Sequence, residues 1–337
     1  MDNHNGVVTL AFVALAACMA QPVLGGQAEG VAGAPSHGWK AMGSMPSTQY
    51  EVATVVHEGK LYVFGGFRSG SRATTRCDVF QPSTNTWHRL ADMPQAVNHL
   101  NAVLVGEEVW FAGGTEGDHP GPVVSNVWRY DLRSDSFTAG PSLPEPRGGG
   151  GLAYAEGALH YFSGMGADRN TDAADHWVLD LQAPTRWERA PPFPSPRNQF
   201  GVAVLGGKIY AIGGQFHHDE GPRDQALVHV YDPATRQWSR ATDLPRARSH
   251  IEPSTFVHRG RIYVAGGRDT GELMDDMWSF DPLRGTWSMV AELPQALLGP
   301  VVAVVGDHVI LVGGAAEELQ PQDSVWQLNL EQVDDTR

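Results

Sequence analysis

The chain has 337 residues, 24 of them basic and 38 acidic, for a net charge of −14. Phosphate recognition needs a basic face, so this balance disfavours a nucleic-acid partner. A hydrophobic fraction of 42% against 18% charged residues argues against wholesale disorder. The two cysteines, Cys18 and Cys77, exclude a disulfide framework or a cysteine zinc site.

The first feature along the chain is the apolar run VVTLAFVALAACMA, residues 7–20. A membrane span needs roughly 20 apolar residues, so no transmembrane segment is expected. The run has the length of a signal-peptide core. Residues 1–20 are read as a signal peptide or lipoprotein signal. Leu15-Ala16-Ala17-Cys18 resembles a lipobox with Cys18 as the lipidated residue, and cleavage after Ala20 is the alternative. Export follows as the expectation: periplasmic, outer-membrane-anchored or secreted. Residues 21–38 are a Gly/Ala/Pro-rich leader without strand pattern, and residues 331–337 an acidic tail. Cys77 reads as a small buried hydrophobe.

From Trp39 to Leu330 one unit repeats. Apolar strands LYVF, VWFA, LHYF, IYAI, IYVA and VILV each run into a glycine pair: Gly65-Gly66, Gly113-Gly114, Gly213-Gly214, Gly266-Gly267 and Gly313-Gly314, with Ser163-Gly164 in the third unit. Two aromatics seven residues apart follow, as in Phe80 and Trp87, Tyr130 and Phe137, Tyr231 and Trp238, and Phe280 and Trp287. Turn sequences such as DPATRQ separate them. Each unit closes on a proline: Pro46, Pro94, Pro144, Pro194, Pro245 and Pro294, a period of about fifty residues. These motifs resemble Kelch repeats. The resemblance implies an all-β, six-bladed Kelch β-propeller over residues 39–330, with one four-stranded sheet per repeat. Trp39-Lys40-Ala41-Met42 is in phase with an outer strand, and the last unit lacks one. The N-terminal strand is therefore expected to close the ring in the last blade, removing two sheet edges.

Counting from each closing proline locates the innermost strand. Positions +6 and +8 are mostly apolar, so side-chain alternation predicts that the odd positions point to the axis. That set includes Glu51, His99, Gln199 and His250 at +5, Asn101 and Glu252 at +7, and Arg147, Arg197 and Arg248 at +3. His99 and His250 belong to opposite blades and are expected to face each other. The loop GGQFHHDE of the fourth unit adds His217, His218, Asp219 and Glu220 at the same mouth. Imidazoles and carboxylates together can ligate zinc, copper or iron, with His99, His250, His217 and His218 as the candidate ligands. The three arginines are candidates for gripping a carboxylate or sulfate. Asp168, Asp172 and His176, spaced by four, loosely resemble the iron-binding motif of plant Kelch specifier proteins, with aspartate in place of the first glutamate. The repeated tryptophans are read as blade packing.

Three functional readings follow. The first is an exported, monomeric binding module that takes an acidic small molecule, a glycan or a protein at the channel mouth. The second is an enzyme of mutarotase or epimerase type, or a metal-dependent one, acting on an acidic sugar. Sialic acid mutarotases are exported six-bladed Kelch proteins, a resemblance of fold and export. The third, an intracellular adaptor, would need a BTB or F-box region, which this sequence lacks.

Overall fold

The computed structural model describes residues 38–330. The expected signal, nearly all of the leader (up to residue 37), and the acidic tail lie outside them. The glycine-terminated strands fall into six four-stranded antiparallel sheets, one per repeat. The first blade runs Ala53–His57, Lys60–Phe64, Cys77–Gln81 and Thr86–Arg89, from inner to outer strand. In the sixth, Val301–Val305, His308–Val312 and Val325–Asn329 are completed by Lys40–Ala41 from the other end of the described chain. There Lys40 pairs with Gln327 and Ala41 with Trp326, which closes the ring.

Each recurring motif has a physical role. The innermost hairpin of blade one turns on Glu58 and Gly59, both with positive φ (46° and 72°). That is the primed turn whose twist matches a two-residue hairpin. In the fourth and fifth blades the aspartate that begins the outer turn caps it: Asp232 Oδ1 accepts from the N–H groups of Ala234 and Thr235, and Asp281 Oδ1 from those of Leu283 and Arg284. The aromatics seven apart are direct cross-strand partners, with ring centroids 4.7–5.0 Å apart. The outer tryptophans also stitch blades together. Trp238 Nε1 donates to the Pro191 carbonyl and Trp287 Nε1 to that of Thr242, each in the preceding blade. Trp39 Nε1 does the same to Glu292 at 2.7 Å, so the closing strand occupies an ordinary outer-strand position.

The second glycine of every pair makes the seam. Its N–H donates to the carbonyl at position +3 of the next blade: Gly66 to Val97, Gly114 to Arg147, Gly164 to Arg197, Gly214 to Arg248, Gly267 to Leu297, and Gly314 back to Gln49. At Gly66 (φ 83°) a Cβ would lie 2.5 Å from the Tyr50 carbonyl oxygen, so no other residue fits. Apolar clusters fill the seams. Ala53, Val55 and Phe64 of blade one meet Val109, Phe111 and Tyr130 of blade two. Val52, Leu61 and Val63 meet Val301, Ala303 and Ile310 across the closure. Cys77 is fully buried in the first of these seams.

The predicted alternation on the inner strand is therefore corrected. Val52 and Ala53 are consecutive, yet both pack against neighbouring blades, on opposite faces of their sheet. The inner strand presents its edge to the axis, so neither parity paves the channel.

Candidate functional site

One ring of residues does turn inward. The +5 residues, directly before the inner strands, all have left-handed backbone: Glu51 (φ 51°), His99 (51°), Gly149 (60°), Gln199 (51°), His250 (59°) and Gly299 (52°). For a side-chain-bearing residue this conformation is uncommon and costs on the order of 1–3 kcal/mol. Blade-to-blade hydrogen bonds hold it. Gly149 N donates to His99 O (2.8 Å), Gln199 N to Gly149 O (2.8 Å) and His250 N to Gln199 O (3.0 Å).

Three of these side chains meet. Glu51 Oε2 lies 3.0 Å from His99 Nε2, and Glu51 Oε1 lies 3.5 Å from His250 Nε2. One carboxyl thus sits between imidazoles from opposite blades. The preceding residue aims each ring. Asn98 Oδ1 is 2.5 Å from His99 Nδ1, and Ser249 Oγ is 2.7 Å from His250 Nδ1. The Asn98 amide is fixed because its Nδ2 donates to Gly117 O, so Oδ1 accepts the His99 Nδ1–H and Nε2 carries a lone pair. His218 comes down from the long loop, its Nε2 3.1 Å from His99 Nε2 and its Nδ1 2.6 Å from Asp219 Oδ1. Asp219 takes the His218 proton on Nδ1, so two lone-pair nitrogens face each other and call for a shared donor.

Burial sets the protonation states. Desolvation raises Glu51 to about 7, opposed by the charges of Arg268 and Arg169. Burial also holds His99 and His250 well below the usual imidazole range, aided by neighbouring cationic groups. His218 falls to about 4 for the same first reason. The centre is therefore a near-neutral set of acceptors around a carboxyl poised near physiological pH.

Above it opens a cavity of about 450 Å³ lined by Glu51, His99, His218, His250, Gln215 and Arg268, with Phe67 and Leu298 among its apolar walls. Arg268 is the residue missed by counting from the prolines. It follows the fifth glycine pair, a position that reads Phe67, Thr115, Met165, Gln215, Arg268 and Ala315 around the ring. This was the available signal: one charge among six equivalent sites, each bridged to the +4 residue. Arg268 donates to the neutral Gln215 Oε1 at 2.8 Å, while its buried Nε has no partner among the described residues. Arg169 is the second missed residue. It clasps three loops through Asp219 (2.8 Å), the Gly121 carbonyl (2.8 Å) and His218 (3.4 Å).

The three +3 arginines are placed away from the mouth, which corrects the expected axial position. The side chains turn into the blades, and those of Arg197 and Arg248 supply donors to glycine-pair carbonyls. Arg197 is fully buried and gives Nε to Gly213 O (2.5 Å) and Nη2 to Ala211 O and Leu227 O. It stacks on Phe193 and Phe200, and burial lowers its pKa to about 9. Arg248 bonds Gly266 O and both oxygens of Asp276. Arg147 lies over Trp177, bonded to Asp175 and Glu145. Gln199 is buried beside Gly149 and does not line the cavity. Glu252 lies deeper on the axis, next to Glu51 and His99.

The candidate metal ligands do not assemble into one compact set. His217 turns away, its Nδ1 on the Asn170 carbonyl and its N–H on Asp172. Among the described residues, the mouth trio with ligand atoms close enough for one ion is His119, His218 and Asp219, and Asp219 is already paired with Arg169. Asp168, Asp172 and His176 also part company. Asp168 caps its own turn, Asp172 accepts from Asn198, and His176 is buried against His160.

Six equivalent blades around a polar mouth define a repeat propeller with an axial cavity. The model of the KLHDC2/KLHL20/DRC7 Kelch-repeats domain matches residues 36–214 and, in an overlapping placement, 99–314. The chain belongs to the Kelch-repeat family. It is similar to a Kelch repeat-containing protein of Arabidopsis thaliana, with 26% identity over 77% of this chain and 67% of that one. It is likewise similar to Kelch-like protein terF of Aspergillus terreus, with 25% identity over 80% of this chain and 61% of that protein. Beta-scruin of Limulus polyphemus is 25% identical over 80% of this chain, which spans 30% of its length. The solved structure of YjhT superposes with a TM-score of 0.71 at 14% identity, covering 84% of this chain and 95% of that one, and shares the fold. Among the described residues no helix is long and apolar enough to cross a membrane.

Proposed function

We propose that this propeller is an exported binding module whose mouth receives a small hydroxylated acid, a sugar acid being the simplest example. The observation that carries the reading is Arg268. It is a cation lining the mouth cavity whose guanidinium donates, among the described residues, to a neutral amide. A carboxylate is its natural partner. The acceptors opposite it complete the match, because the lone-pair nitrogens of His99 and His218 ask for donors that ligand hydroxyls supply. A thermal-shift screen of sialic and uronic acids beside their amides and neutral parent sugars tests it. Stabilisation by the acids alone, lost in Arg268→Gln, is expected. Equal response to acid and amide, or an unchanged response in Arg268→Gln, would refute it. A stabilising acid-ended peptide with inert sugar acids would assign the mouth to a protein terminus.

A second reading, that the mouth catalyses anomeric interconversion of such an acid, is favoured by Glu51. Its carboxyl is held near 7 and lies 3.0 Å from the neutral His99, the match of pKa and reach that proton shuttling needs. Exchange NMR between anomers, with Glu51→Gln as control, separates it from passive binding: no acceleration over solvent leaves binding alone.

A further inference from the structure

Three loops over the mouth converge on His218 and Asp219, which belong to blade four. His119 comes from the loop of blade two and Arg169 from that of blade three. Each loop is pinned. His119 N donates to Ser71 O, and Asp118 Oδ1 accepts from Ala73 N, both in blade one. Asn170 Oδ1 accepts from the N–H groups of His218 and Glu220. His119, His218 and Asp219 all line the mouth cavity.

His218 cannot satisfy its surroundings with a single proton. On Nδ1 the proton serves Asp219 Oδ1 at 2.6 Å and leaves Nε2 facing the lone pair of His99 Nε2 at 3.1 Å. On Nε2 it serves His99 and leaves a lone pair on Nδ1 against the Asp219 carboxylate. Burial opposes a second proton and outweighs the hydrogen bond to Asp219 that favours one. A cation on Nδ1 resolves the conflict. It takes the proton's place between ring and carboxylate, and the proton moves to Nε2 and donates to His99, whose own Nδ1–H is fixed on Asn98 Oδ1. A metal-bound imidazole ordinarily donates its other N–H in this way.

We propose that His119, His218 and Asp219 form a zinc site, with His119 Nε2, His218 Nδ1 and Asp219 Oδ1 as the ligands. A ligand atom from each residue lies within 4.8 Å of the others. His119 Nε2 is 3.6 Å from Asp219 Oδ1, near the spacing of about 3.3 Å between ligands that stand about 2.0–2.1 Å from a tetrahedral zinc. The shorter His218–Asp219 contact opens by about 0.7 Å to reach that spacing. Two imidazoles and a carboxylate suit zinc and leave a fourth position to water. Arg169 holds the other carboxylate oxygen, Oδ2, through Nε and the Gly121 carbonyl through Nη1, so the ligand is oriented from behind. Its Nη2, 3.4 Å from His218 Nδ1, is the group that yields. Binding shifts a proton within the His218 ring and releases none from it. The site stands whether or not the mouth takes an acid; where it does, the fourth position accepts a ligand hydroxyl in place of the imidazole lone pairs.

Titration calorimetry of the chelator-treated full chain with zinc chloride, joined to nitrogen-15 NMR of the His218 ring, tests it. One zinc per chain is expected, with the ring proton moving from Nδ1 to Nε2. His119→Asn should weaken binding at least tenfold. The His119 ring is exposed, paired with Asp219 and 6.3 Å from the His218 ring, so this variant is expected to fold. His57, Glu58 and Glu107 are the other such group among the described residues, and His57→Gln should bind as wild type. No zinc bound at millimolar metal, undiminished binding in folded His119→Asn, loss in His57→Gln, or a His218 Nδ1 that keeps its proton in the zinc-loaded chain would each overturn the proposal. None of these readouts uses an acid, so failure of the acid screen leaves the zinc site standing.

Discussion

Arg197 offers the sharpest contrast between a binding arginine and a structural one. Arg197→Met keeps an unbranched apolar stem against Phe193 and Phe200 but removes every donor. The carbonyls of Gly213, Ala211 and Leu227 then lose the guanidinium that reaches them at 2.5, 3.1 and 3.2 Å. Leu227 O keeps the Gly213 N–H and Ala211 stays in the sheet ladder, so the Gly213 carbonyl is the one left unpaired, at a cost of about 1–3 kcal/mol, to which the lost second bonds at the other two add. Relief of the buried, carboxylate-free cation offsets part of this. The net loss is expected to be about 1–3 kcal/mol by urea denaturation followed through tryptophan fluorescence. A loss below about 1 kcal/mol would refute the structural role. So would a variant of unchanged stability that no longer binds an acid responsive in the wild type.

Two further outcomes follow from the packing and the buried histidines. Trp39→Ala removes a buried aromatic and its bond to Glu292 O from the closing strand, and should cost about 3–5 kcal/mol; a near-silent change in denaturation midpoint would contradict ring closure by this strand. His160 and His176 are buried 3.0 Å apart and held by desolvation at about 4 and about 3, below the unfolded value of 6.5. Their contribution is present above pH 6.5 and is lost as pH falls from there toward 4, because the unfolded chain then binds more protons. Glu51 and Glu252 oppose it: raised to about 7 and about 8, they stabilise at low pH, and that contribution is lost as pH rises through those values. His160→Gln should lower the slope of stability between pH 4 and 6.5 by up to one proton, about 1.4 kcal/mol per pH unit, measured by denaturation across that range; an unchanged slope would show that His160 titrates normally.

The scaffold was legible because each of its parts repeats. The glycine pairs, the aromatics seven apart and the closing prolines fix period, blade count and ring closure without reference to any contact. The mouth was legible in part. The +5 residues were found by phase, but for the wrong reason: a strand alternation was invoked where a left-handed turn before the strand does the aiming. The arginines misled because a recurring charge suggests a ligand, whereas a recurring buried carbonyl also needs one. Arg197 and Arg248 bond the carbonyl of the first glycine of their own blades, as Gln49 Nε2 does at Gly65. Arg268 and Arg169 escaped because they are single departures in loops, and a search for repetition passes over what occurs once.

The account rests on Glu51 lying between His99 and His250 at the propeller axis. Nitrogen-15 NMR of the histidine rings in wild type and Glu51→Gln measures this directly. The signals of His99 and His250, from opposite blades, are expected to move together while that of His160 stays fixed, and in the wild type both should titrate well below the usual imidazole range. Movement of one ring alone, or titration of both near 6.5, would contradict the assembled mouth.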